Sequence, residues 1–187
     1  MSAPQPAGRP GRYQRSTPAL IGSLIVVLAG VGLFVGFRSL VRDDVQVDPR
    51  ALNEQEYAAV LSAARDQLPA VAPNALPEDW ITTSMRFTPE PTPRFHLGML
   101  TDERRYVGVE QSRSAVERMV STHVDADAVP GDDVQVTDGE LAGTWQSWTD
   151  DGGDFALTRT FEDTTVLVVG TAGADTITAL AASLTTD

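Results

Sequence analysis

The chain has 187 residues, with 14 basic and 26 acidic side chains, a formal net charge of −12 and no cysteine. Such an acidic chain lacks the basic face that nucleic acid requires. Without cysteine it has no disulfide, thiolate metal site or cysteine nucleophile.

Residues 1–17 carry Pro4, Pro6, Gly8, Pro10 and Gly11 and too few apolar groups to order themselves, so a disordered tail is expected. PALIGSLIVVLAGVGLFVGF (18–37) follows. From Ala19 to Phe37 it holds no charge, and Ser23 is its only polar residue. A bilayer core of about 30 Å needs about 20 helical residues, and this stretch is long enough. A helix of a soluble core would show a polar stripe, which is missing here. A cleaved signal has an apolar region of roughly 7–15 residues and then a small-x-small site. This run is longer and continues as Gly36-Phe37-Arg38-Ser39-Leu40. A single transmembrane helix over 18–38 is therefore expected, with 39–49 as a linker and 50–187 as an exported domain. Gly32 and Gly36 form a small-xxx-small pair, a candidate helix–helix contact and a weak signal for a dimer.

Arginines flank the span equally: Arg9, Arg12 and Arg15 before it, Arg38, Arg42 and Arg50 after it. The tail before the span is short, purely basic and ends in a free amine, which favours a cytoplasmic N-terminus beside anionic lipid. All 26 acidic residues follow the span, so the domain beyond it is not expected to lie flat on an anionic membrane. Its charge keeps it soluble.

Asn53 and Glu56 are spaced as a capping box. Tyr57, Val60, Leu61, Ala64 and Leu68 then recur at helical spacing, which predicts a helix over about 54–68. Pro69–Pro77 reads as an extended connector. In Ile81–Thr88, Ile81, Thr83, Met85 and Phe87 should face one way and Thr82, Ser84 and Arg86 the other. Arg94–Thr101 and Tyr106–Ser112 form a hairpin around 101–105. Ser114 with Glu117 predicts a capped helix over about 114–123. Strands follow at Asp133–Thr137, Gly143–Thr149, Phe155–Glu162 and Thr165–Thr171, and a last helix at about 174–184. Strands joined by short turns give an antiparallel sheet with helices on one face. The fold class is α+β, with about six to seven strands and about three helices.

Symmetric closure of the 101–105 loop pairs Leu97 with Val109 and Met99 with Val107, which gathers apolar side chains on one face. A one-residue slip would bring His96 or Gly98 against that core, so burial should fix this register. On the other face His96 falls opposite Glu110, Leu100 opposite Tyr106, and Gly98 opposite Gly108. The glycine pair leaves a flat patch that invites close approach. Trp148 or a helix of the domain itself is expected to fill it. A partner segment docking beside Tyr106 is the alternative. Trp145 and Trp148, three apart on a strand, should face opposite sides, one in the core. Gly98, Gly108, Tyr106 and Trp148 are thus the candidate interaction surface.

His96 reads as a surface cross-strand partner, and His123 as a cation suited to a helix C-terminus. No Gly-x-Ser-x-Gly elbow exists, and spacing suggests no Ser/His/acid set. Asp125 and Asp127 with Asp132 and Asp133 read as a solvated loop. They fail the calcium-loop pattern, because Val129 stands where an acceptor is needed and Pro130 where glycine is needed. Asp150–Asp154 reads as a hairpin loop. No catalytic residue, cofactor or metal is expected.

LPEDW (76–80), FHLGMLT (95–101), YVGVEQS (106–112), GTWQSW (143–148) and LVVGTAGADTITALAASL (167–184) together resemble an actinobacterial family of single-pass membrane proteins, domain of unknown function 4245. Members often carry Trp where this chain has Phe95. The resemblance implies an N-terminal anchor and an exported α+β domain, and it brings no catalytic residues. The Pro-x-x-Trp entry and the VVGTAGADTITALAASL ending are also similar to sensor domains of periplasmic envelope-stress regulators, a likeness of fold that transfers no function. The expected function is a non-enzymatic binding or sensing domain in the cell envelope. The alternative is an assembly partner of another membrane protein that acts through the span.

With the N-terminus in the cytoplasm and no cleavage, protease added to spheroplasts should remove the C-terminal domain and spare the tail. A mature N-terminus near Arg38 would contradict this topology.

Overall fold

Glu54–Arg65 forms helix α1, the first element in a computed structural model that describes residues 53–187. The tail, the span, the linker and the pair Gly32 and Gly36 lie outside the described residues. Among the described residues no helix is long and apolar enough to cross a membrane.

The N-terminus of α1 is the expected capping box. The Asn53 side chain accepts from the Glu56 N–H at 2.8 Å, and the Glu56 carboxylate accepts from the Asn53 N–H. The helix ends at Asp66, before the predicted limit. The connector after it is more than an extended link. Within it Ala72–Pro73 (β1) pairs with Leu184–Thr185 (β9), and Gln111 holds the Val71 backbone at both N–H and carbonyl.

The main sheet has seven antiparallel strands. They are β2 (Ile81–Thr88), β3 (Arg94–Leu100), β4 (Tyr106–Ser112), β5 (Val129–Val136), β6 (Gly143–Thr149), β7 (Phe155–Phe161) and β8 (Thr164–Gly170). Their order is β2-β3-β4-β8-β7-β6-β5. Two meanders thus meet where β4 pairs with β8. Helix α2 (Val116–His123) follows the first meander and α3 (Ala174–Ser183) the second. This is the expected α+β architecture. The hairpin register also agrees: Leu97 pairs with Val109, Gly98 with Gly108 and His96 with Glu110.

Four expectations need correction. β2 does not alternate throughout, because its register against β3 shifts between Thr82 and Ser84. Thr82 pairs with core-facing Met99 and is buried, and Thr83 is the extra residue of the bulge. Ser114 does not cap α2. Ala115 is the N-cap without a side-chain bond, while the Ser114 carbonyl accepts from Thr165 Oγ1. The strand expected from Asp133 begins earlier, at Val129, so Asp132 lies in β5 and not in a loop. The helices do not share one face of the sheet. Leu61, Ala64, Ile177, Leu180 and Ala181 of α1 and α3 join Phe95, Leu97, Met99, Val109, Trp145 and Val168 in the main core. Met119 of α2 instead packs with Ala156, Leu167 and Val169 on the opposite face.

Trp145 is fully buried in the main core, and its indole N–H donates to the Leu141 carbonyl at 3.0 Å. Trp145→Ala should cost about 3–5 kcal/mol. Trp145→Phe keeps most of the packing, loses the hydrogen bond and should cost less. Urea midpoints at an unchanged slope would measure both.

The chain after α3 is held by Glu140. Its carboxylate accepts from Thr185 Oγ1, Thr186 Oγ1 and the Thr186 N–H at 2.7–2.9 Å. These hydrogen bonds, those from Thr186 foremost, hold the Glu140 carboxyl below its usual range. Because the folded-state pKa is lowered, the stabilisation is complete above the ordinary glutamate pKa and disappears as pH falls through the lowered one. Glu140→Gln should therefore reduce stability at neutral pH, and the difference should vanish in acid. Denaturant titrations at the two pH values would show it.

Candidate functional site

The second face of the sheet is built by alternation. From Ser84 onward, β2 presents Ser84, Arg86 and Thr88. β3 presents Arg94, His96 and Gly98, and β4 presents Gly108, Glu110 and Ser112. Helix α2 lies over the β7–β8 part of this face. Beside it, over β2, β3 and β4, a cleft of about 380 Å³ remains. The ionisable residues of its wall are Arg86, Arg94, His96, Glu110 and His123, with Met119 beside them. Both histidines of the chain are therefore in one place.

Glu110 organises them. It is 8% exposed, and a buried carboxylate is costly unless it is paired. His96 Nδ1 lies 2.5 Å from Glu110 Oε1, and His123 Nδ1 lies 3.7 Å from the same oxygen. The carboxylate can only accept, so His96 carries its proton on Nδ1. In the neutral ring Nε2 then accepts from the Ser84 hydroxyl, 2.9 Å away. His96 is thus the expected cross-strand partner of Glu110. His123, read from sequence as a dipole-suited cation, also turns toward this carboxylate. The signal for that was present: Met119 and His123 are four apart and share a helix face.

Spacing suggested no Ser/His/acid set, yet the structure aligns Ser84, His96 and Glu110 in hydrogen-bonding order. This is the atom order of a nucleophile relay. The hydroxyl, however, is turned onto Gly98, where a Cβ would lie 2.4 Å from it, and Ser84 is not part of the cleft wall. The arrangement holds the imidazole in place. What the cleft offers a ligand is hydrogen-bond donors and positive charge.

The four residues of the candidate interaction surface fall in two places. Gly98 and Gly108 pair as expected and are buried, but Trp148 does not fill the gap. The Tyr106 ring does: a Cβ on Gly108 would meet its hydroxyl at 2.5 Å, and one on Gly98 its Cε2 at 3.4 Å. Partial burial of the ring, with Glu110 and Asp154 nearby, pushes the Tyr106 phenol up to about 12. Trp148 lies three strands away on β6, about 14 Å at the usual strand spacing. It packs against the Met119 cluster and donates its indole N–H to Thr158 Oγ1 at 2.8 Å. Trp145 is the core member of the pair, as the alternation required.

Among the described residues no group of three or more His, Cys, Asp or Glu is arranged to hold a metal ion. Asp125 instead accepts from the Asp127 N–H at 2.8 Å, a local turn.

No curated protein matches the chain. Among solved structures it is similar to a chain in the complex structure of Pseudomonas aeruginosa MucA/MucB, at 14% identity and a TM-score of 0.36. The likeness covers 64% of this chain and 35% of that one, and at this score it does not establish a shared fold. The family described as "Protein of unknown function (DUF4245)" matches residues 12–184, from the tail to the end of the last helix, and the chain belongs to that family.

Proposed function

We propose that this protein is a single-pass, membrane-anchored binding or sensing protein, with its N-terminus in the cytoplasm and its α+β domain outside. The observation that carries the binding role is the cleft beside α2, which concentrates both histidines and two arginines against a buried glutamate. Pockets of roughly 300–1,000 Å³ are the usual size for small ligands. The anchor is supported by the uncharged run from Ala19 to Phe37, and the orientation by the purely basic tail.

The reading is of a binder and not of a hydrolase. A serine nucleophile must meet its substrate beside an oxyanion-stabilising pair of donors, whereas Ser84 is packed on Gly98 outside the cleft wall. A second reading draws on the spacing of Gly32 and Gly36, which suits a helix–helix contact in the membrane. In that case the protein would assemble with another membrane protein through its span.

Affinity capture with the anchored chain and with a form lacking residues 1–49 separates the two. Capture of the same partners by both forms is the expected result. Partners that vanish with the span would favour the assembly reading.

A further inference from the structure

Residues 53–187 contain 8 arginines against 23 carboxylates. Among the described residues two of these arginines form ion pairs, Arg105 with Glu103 and Arg113 with Asp163. Arg86 and Arg94 are among the six that form none, and of those six they alone line the cleft. Arg86 pairs across the strands with His96, and Arg94 lies two residues before His96 on the same face of β3. The two arginines are therefore diagonal neighbours on one face, a placement that sets like charges within interaction range. Among the described residues neither forms an ion pair. The only carboxylate in the cleft wall is Glu110, and its Oε1 already faces both imidazoles. Two permanent positive charges thus face one committed negative charge before either histidine is protonated.

This arrangement favours a ligand that brings its own negative charge. Arginine forks match carboxylate and phosphate oxygens, with two parallel N–H···O bonds to one group. His123 comes from α2 on the other side of the cleft and supplies a further donor. Thr88, Ser112 and Met119 give the remaining wall a mixed polar and apolar character. We propose that the cleft binds a small organic oxyanion, a molecule bearing a carboxylate or phosphate group that Arg86 and Arg94 grip. The proposal rests on the binding reading above and names the ligand class for the same site.

The chain carries its own probes, because its two histidines both line the cleft. Imidazole resonances of the full chain should be followed by NMR while succinate or inorganic phosphate is added at constant ionic strength. The expected result is a saturable shift of both imidazoles. Response to succinate alone identifies a carboxylate site, to phosphate alone a phosphate site, and to both a general oxyanion site. Arg86→Gln with Arg94→Gln should weaken binding roughly tenfold or more. Arg118→Gln removes a positive charge from α2 outside the cleft wall and should leave binding unchanged. Shifts that do not saturate with either probe, or that survive in the double variant while the amide spectrum remains folded, overturn the proposal. Partner capture that is untouched by the double variant would then leave the binding reading standing alone.

Discussion

β8 is buried at all seven of its residues, and the rest of the architecture follows from that. A strand buried on both sides obliges the sheet to be covered on both sides. The main core with α1 and α3 covers one. The other depends on α2, whose eight residues give about 12 Å of helix. Seven strands at about 4.8 Å are far wider than this. Helix α2 therefore covers Leu167, Val169 and Ala156 and leaves the β2–β4 end of the face open. The cleft is the part of the sheet that a short helix cannot reach.

That open end is where polar chemistry is tolerated. Glu110 occurs on the second face because alternation puts it there, opposite core-facing Val109 and Gln111. Its burial beside the edge of α2 then requires a partner, and His96, directly across the ladder, supplies it. The hydrogen bond also fixes the ring plane of His96, so Ser84 and the glycine pair are adapted to it. Gly98 makes room for the Ser84 hydroxyl, and Gly108 for the Tyr106 ring. Glycine, serine, histidine and glutamate on three neighbouring strands thus form one packed polar unit, with Arg86 and Arg94 on its open side.

Much of this was legible in the sequence where burial constrained the chain. The 101–105 hairpin could be placed residue by residue, because a slip would have exposed Leu97 and Met99 and buried His96. The Asn53–Glu56 cap was legible because both partners are local. The β2 bulge was not: Thr82 and Thr83 are chemically identical, and only the long-range pairing with Met99 decides which of them turns inward. The β1–β9 pair and the Gln111 clamp on Val71 join segments far apart in sequence, beyond any local pattern. The position of α2 had a signal that alternation alone conceals. Val166, Leu167, Val168 and Val169 form an unbroken apolar run, which is the pattern of a strand covered twice. For the cleft, the His96–Glu110 pair could be read from register, whereas the inward turn of His123 needed the helix to be placed first.

The β4–β8 seam has a consequence for how the chain reaches this state. Each meander is made of hairpins and can form from local contacts. The seam joins the last strand of one to the last strand of the other, pairing Val109 with Val168. Closing it requires a long loop to be ordered first, which slows folding. Until then β4 and β8 are both open edges, and TTVLVVG carries no charge, proline or bulge to discourage foreign pairing. The strand most completely hidden in the finished protein is therefore the one most vulnerable to self-association during synthesis, and the speed of seam closure governs how long that vulnerability lasts.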